Sequence, residues 1–296
     1  MDIKFLKKEQ IVGEEKLGIF NKLGISAAMT DFSILLGGNV SDYSFTKEGT
    51  DLRYRTGWYW METGDEENDI FVVTSRGSVH ISDSRYRNYG ARLVIPYSLI
   101  SNTFFNKHRR KDGILEVECG EYPQWAVSHE YQMLLEKLFR NGDIVQTTDY
   151  ITTDSRRKDE YITEFKPQKH NIYEYNGKKY IRVMVNLDDI FRLSNGKEYR
   201  VNDVVWVEIS PIKWLVDEEK NIAISKNLVF SGVQFNMERD YKGDFSKADI
   251  KKFIDTYFVK DIKIITDNVQ DKVTNTELTM LSNKKNKVMA RILIKN

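Results

Sequence analysis

The chain has 296 residues with 45 Lys and Arg against 44 Asp and Glu, so a net charge of +1 gives no global field toward nucleic acid or an anionic membrane. Hydrophobic residues at 41%, aromatics at 12% and charges at 30% describe a folded chain, long enough to bury its core without disulfide or metal staples. One cysteine, Cys119, excludes an internal disulfide and any multi-thiolate metal site.

At the start, Phe5, Leu6 and Ile11, then Leu17, Phe20 and Leu23, recur at helical spacing, which predicts short amphipathic helices broken near Gly13 and ended by Gly24. An apolar stretch from Ile25 stops at Gly37-Gly38. The aromatic or β-branched runs Trp58-Tyr59-Trp60, Ile70–Val73, Ser78–Ile81 and Arg92–Ile95 read as strands, with Arg76-Gly77 as a hairpin turn. The polar run Asn106–Gly113 is the best candidate boundary. Ile114–Cys119 alternates as a strand. Ser128 is placed to cap a helix that buries Tyr131, Leu134, Leu135, Leu138 and Phe139 and stops at Asn141-Gly142. Residues 146–170 read as polar, irregular surface loop.

Tyr173 to Val185 turns at Asn176-Gly177, a pair suited to a type I′ hairpin. Val204–Ile209 reads as a strand, and Trp214–Val216 and Ile222–Ile224 flank a polar turn. Ser246 and Asp249 have capping-box spacing before Ile250, Phe253, Ile254 and Tyr257. A polar tail ends in the strand-like run Val288–Ile294. No run reaches the 18 apolar residues that spanning a membrane requires, and Met1–Lys8 holds no apolar core for a signal peptide; the expected compartment is the cytoplasm.

Gly120-Glu121-Tyr122-Pro123-Gln124, Tyr175-Asn176-Gly177-Lys178-Lys179-Tyr180 and Pro211-Ile212-Lys213-Trp214 resemble the opening half of a Firmicutes domain family of unknown function. Trp58-Tyr59-Trp60, Val73–Val79 and Tyr89-Gly90-Ala91-Arg92-Leu93-Val94 resemble its closing half. That family is similar to C-type-lectin-like and formylglycine-generating-enzyme-like folds. The resemblance implies an α+β protein with a C-type-lectin-like mixed sheet and a few amphipathic helices.

The halves stand in reversed order: 1–105 resembles the closing half, 106–117 is the boundary, 118–262 resembles the opening half, and 263–296 is the tail. Circular permutation within one chain explains this order, since domain termini lie at the surface and often near each other. Two incomplete lobes completing each other across the boundary or between subunits is the other explanation, which leaves a homo-oligomer open. Under either, the lobes share a core.

Copper-oxidase chemistry of the related fold needs paired thiolates, which a lone Cys119 does not supply, and no proline carries the flanking residues of a calcium-dependent sugar site. The four histidines are scattered, so no cofactor and no metal are expected. A metal-dependent hydrolase or nuclease would use Asp154 or Asp159 with Glu164 and Lys166, the carboxylates holding a divalent cation and the lysine facing phosphate. In a chain this rich in charge such spacing arises by chance.

The run Asp83, Ser84, Arg85, Tyr86, Arg87, Asn88, Tyr89 alternates Arg with Tyr between two strands, where side chains should be at least partly exposed, and Arg53, Tyr54 and Arg55 repeat the chemistry. Tyr and Arg anchor protein interfaces through rigid area and forked hydrogen bonds. The family resemblance points to the same loop. The bland alternative is a solvated loop paired to Asp65, Glu66 and Glu67. Basic clusters at Lys107–Lys111, Arg156–Lys158 and Lys284–Lys287 would suit nucleic acid, but the acidic runs Asp65–Asp69 and Asp217–Glu219 and the neutral balance disfavour it. The expected function is therefore non-enzymatic binding of a protein partner. Its specific form is an inhibitor, encoded by a phage or mobile element, of a host defence complex.

Overall fold

A computed structural model describes residues 2–40, 55–62, 69–100, 106–155, 165–238 and 243–262. In chain order the elements are α1 (Lys8–Ile11), α2 (Gly18–Leu23), β1 (Ala27–Ala28), α3 (Asp31–Leu35), β2 (Thr56–Gly57), β3 (Tyr59–Trp60), β4 (Ile70–Val73), β5 (Val79–Ser82) and β6 (Val94–Pro96). Then come β7 (Lys107–Arg109), β8 (Leu115–Ala126), α4 (His129–Asn141), β9 (Val145–Asp154), β10 (Pro167–Tyr175), β11 (Lys178–Met184), β12 (Phe191–Arg192) and β13 (Glu198–Tyr199). The last are β14 (Val204–Asp217), β15 (Ile222–Ser225), α5 (Asp249–Phe253), a π-helical turn (Ile254–Phe258) and α6 (Val259–Asp261). The fold is mixed α+β.

The long antiparallel ribbon of β8 and β14 is the spine of an eight-stranded sheet. Along one edge of β14, β11 pairs with Val204–Ile209 and β15 pairs with Trp214–Asp217, while β8 holds the opposite edge from Val207 to Val216. The sheet therefore forks into two wings. One wing runs outward through β11, β10 and β9; the other runs through β15 to β6, whose Val94 exchanges backbone bonds with Lys4.

Irregularities in the ribbon fall at Glu208/Ile209 and Pro211/Lys213, where Pro211 has no N–H to give the ladder. The Gln124 side chain serves this bend by donating Nε2 to the Ser210 and Pro211 carbonyls, both at 2.8 Å. A three-stranded sheet of β3, β4 and β5 stands apart from the large one.

Local signals explain several elements. Asn176 and Gly177 take φ of +50° and +72° in the β10–β11 turn, as a type I′ hairpin requires. Ser128 accepts from the Tyr131 N–H at the start of α4, and Gly142 ends it in the left-handed region. Helix α4 covers one face of the β9–β11 wing and forms a small cluster with Tyr173, Tyr180 and Trp206. Its Gln132 acts as a surrogate strand: Oε1 accepts from Trp206 N–H at 2.7 Å and Nε2 donates to the Trp206 carbonyl at 2.8 Å.

Phe5, Phe32, Trp60, Tyr122, Trp214, Phe235 and Phe258 belong to one larger apolar cluster, so residues from before and after the expected boundary share a core. Within that boundary, Lys107–Arg109 pairs with Leu115–Val117 as β7 on β8.

Two expectations are corrected. Of residues 146–170, the described stretches 146–155 and 165–170 are not loop: they supply most of β9 and the start of β10, with Ile151–Asp154 buried, while 156–164 lie outside the described residues. Their polarity is absorbed by partners, since Thr152 N–H bonds Asp261, Thr153 bonds His170 and Asp154 pairs with Arg87. The Ser246/Asp249 capping box does not form either. Asp244 caps the turn before α5, while Asp249 accepts from Met237 N–H. Cys119 is a buried thiol, pushed up to about 12 by burial. Among the described residues no helix is long and apolar enough to cross a membrane. The Val288–Ile294 run and the rest of the tail lie outside the described residues.

Candidate functional site

Strand alternation places Trp58 and Trp60 on one face of the three-stranded sheet. Cross-strand pairing of Trp60 with Val72, and of Val72 with His80, carries that face across to β5. Gly90 N–H donates to the Trp58 carbonyl and Trp60 N–H to the Gly90 carbonyl, which brings the 83–89 loop down over this face. Tyr89 is the plug. Its ring stacks on Trp58 at 5.5 Å and 15°, meets Trp60 edge-on at 4.7 Å, and receives a hydrogen bond from the Ser82 hydroxyl at 3.0 Å. Burial pushes the Tyr89 phenol above its ordinary value, so it stays a neutral ring.

From Tyr89 the row continues outward to Tyr86, 5.6 Å away and 53% exposed, and sideways through Trp58 to exposed His80 at 6.3 Å. Inward it continues from Trp60 to Phe235 at 5.4 Å. An aromatic column thus runs from core to surface, with contacts worth about 0.5–1.5 kcal/mol per pair beyond area burial.

The loop is held from below. Arg87 lies 5% exposed, its Nε donating to the Gly232 carbonyl at 2.8 Å and its Nη2 3.8 Å from Asp154 Oδ2. Gly232 N–H returns a bond to the Arg87 carbonyl, and Ser84 Oγ donates to the Glu238 carbonyl. At the tip, Asp83 folds Arg85 back: its Oδ1 accepts from Arg85 N–H and Nε, and its Oδ2 accepts from Arg85 Nη2 at 2.8 Å. At the tip the Asp83 and Arg85 charges offset each other, and the Tyr86 ring rests on Tyr89 beside that ion pair.

The expectation of an exposed Arg/Tyr loop divides. Tyr86 is exposed, and Arg85 and Asp83 are partly so. Arg87, Tyr89 and Arg55 are buried, because each has an interior partner that local sequence does not reveal. Arg55 is 1% exposed and lies 3.6 Å from Asp31, a buried carboxylate that also accepts from Ser194 and from Ala126 N–H. Arg53 and Tyr54 lie outside the described residues.

Trp58, half-buried against the large core cluster, and exposed His80 join the site; the Trp58-Tyr59-Trp60 alternation against His80 and Ser82 is the signal in the sequence that points to them. Of the hydrolase set, Asp159 and Glu164 lie outside the described residues, Lys166 is exposed, and Asp154 is paired with Arg87. Among the described residues no group of three or more His, Cys, Asp or Glu is placed to hold a metal ion.

No family model, no curated protein and no solved structure matches the chain.

Proposed function

We propose that this chain works as a non-enzymatic binding protein and that the Tyr86–Tyr89–Trp58 row, bordered by Arg85, Asp83 and His80, is the face that meets a protein partner. The observation that supports it most is Tyr86: a half-exposed tyrosine seated on a buried aromatic column and flanked by a closed Arg85–Asp83 pair. A rigid aromatic on a prefolded loop loses little entropy on association, and such residues anchor interfaces. The neutral tip suits an apolar partner surface. A C-type-lectin-like use of this loop, with a bacterial defence complex as target, belongs to the same proposal and rests on the sequence resemblance.

The test is affinity capture of the tagged protein from a Firmicute lysate, with complex mass from light scattering. A stoichiometric protein partner should be retained by the native chain and weakened about thirtyfold by Tyr86→Ala, the effect of a central anchor worth about 2 kcal/mol. Glu164→Ala combined with Lys166→Ala should leave capture intact. Loss of function through that pair, with Tyr86→Ala neutral, would favour a metal-dependent hydrolase instead.

A further inference from the structure

Helix α4 presents a second surface, whose lining shares no residue with the aromatic row. Between its flank and β14 runs a groove of about 380 Å³, at the lower end of ligand-site volumes. From the helix, His129, Met133, Glu136, Lys137 and Arg140 face it, and Lys197, Val204 and Trp206 close the other side. These helix positions recur every three or four residues, so they form one stripe along α4. At 1.5 Å per residue the stripe is about 18 Å long, the reach of about five residues of extended chain.

The charges in the groove are unbalanced. Its carboxylate, Glu136, is fully engaged: Arg182 donates Nε and Nη2 at 3.0 Å each, Arg140 donates at 3.1 Å, and Trp206 Nε1 donates at 3.1 Å. Burial pushes its pKa up, but these donors outweigh burial and hold it below the ordinary value. Around that satisfied anion stand Lys137, Arg140 and Lys197. Met133 is 57% exposed, and Met184, the ladder partner of Val204 on the same face, is 55% exposed. Methionines of this kind repack against varied apolar side chains.

We propose that the α4 groove receives an extended, acidic segment of a partner protein, about five residues long. Its apolar side chains rest on Met133, Val204 and Met184, and its carboxylates lie against Lys137, Arg140 and Lys197. The inference rests on the reading of the chain as a protein-binding protein, but uses a different face.

The probe is a fluorescein-labelled hexapeptide of alternating Glu and Leu, followed by fluorescence polarisation, with an alternating Lys and Leu peptide as control. The acidic peptide should bind, and binding should weaken with added salt. Lys137→Glu and Lys197→Glu, both solvent-facing changes checked for folding by circular dichroism, should each weaken it about tenfold. Tyr86→Ala should leave peptide binding unchanged. Absence of binding, equal binding of the basic peptide, or indifference to both charge reversals would overturn the groove proposal. Loss of partner capture in Tyr86→Ala, without any peptide binding, would overturn it while leaving the aromatic row standing.

Discussion

Acidification from pH 7 to pH 5 should destabilise the protein through His170, and the size of the loss follows from its surroundings. The imidazole is 5% exposed, shares a 2.7 Å hydrogen bond between Nε2 and Thr153 Oγ1, and meets the Phe32 ring edge-on at 6.1 Å. Burial lowers its pKa to about 4 from an ordinary 6.5. The unfolded chain binds this proton below pH 6.5 and the folded chain does so only near pH 4. The contribution is thus fully present above about 6.5 and is lost as pH falls toward 4. At 1.36 kcal/mol per pH unit over the one and a half units from 6.5 to 5, the loss is about 2 kcal/mol. Asp2, Glu116 and Glu136, whose carboxyls lie below their ordinary values, lose their contributions only as pH falls through and below the carboxylate range, under this window. Urea unfolding of the native chain and of His170→Gln at both pH values isolates the effect, because the remaining titrations cancel in the difference. The native chain should lose about 2 kcal/mol more than the variant. Equal losses would refute a neutral, isolated His170.

Other perturbations have defined outcomes. Arg87→Ala should lower unfolding free energy by about 3–5 kcal/mol in urea titration, because it leaves Asp154 and the Gly232 carbonyl in the interior without the guanidinium. Gly232→Ala should cost more than about 2 kcal/mol by the same assay, since φ is +81° and a Cβ there would sit 2.6 Å from the Leu36 carbonyl oxygen. Gln132→Ala should cost about 2–3 kcal/mol and speed hydrogen exchange at the Trp206 amide, whose partner it removes. Tyr86→Ala should cost about 1 kcal/mol, the loss of one surface ring contact with Tyr89, while weakening partner capture about thirtyfold, and a loss of several kcal/mol in urea titration would contradict its place outside the core.

Features legible in the chain were those whose cause is local. Ser128 and Gly142 bracket α4, Asn176-Gly177 turns a hairpin, and Arg76-Gly77 turns another, because caps and positive-φ turns are decided within a few residues. The exposure of Tyr86 followed from its place between strands. Residues that failed were polar ones with distant partners. Thr152, Thr153 and Asp154 look like loop by hydropathy, yet Asp261, His170 and Arg87 satisfy them inside. Arg55 and Arg87 look like surface cations, and their acidic partners lie far along the chain. Pattern reading treats burial and polarity as opposites, and this interior breaks that rule wherever a long-range hydrogen bond closes.

The forked ribbon of β8 and β14 has a consequence for synthesis on the ribosome. Strand β6, complete at Pro96, finds its ladder partner only when β15 at Ile222–Ser225 has been made. At elongation rates of about 5–20 residues per second that delay is on the order of ten seconds. Throughout it, Trp60 lacks the Phe235 ring that later packs against it at 5.4 Å. With that surface uncovered, the chain made up to β6 should be adhesive, and yield in cells should depend on holdase chaperones more than the stability of the finished fold suggests.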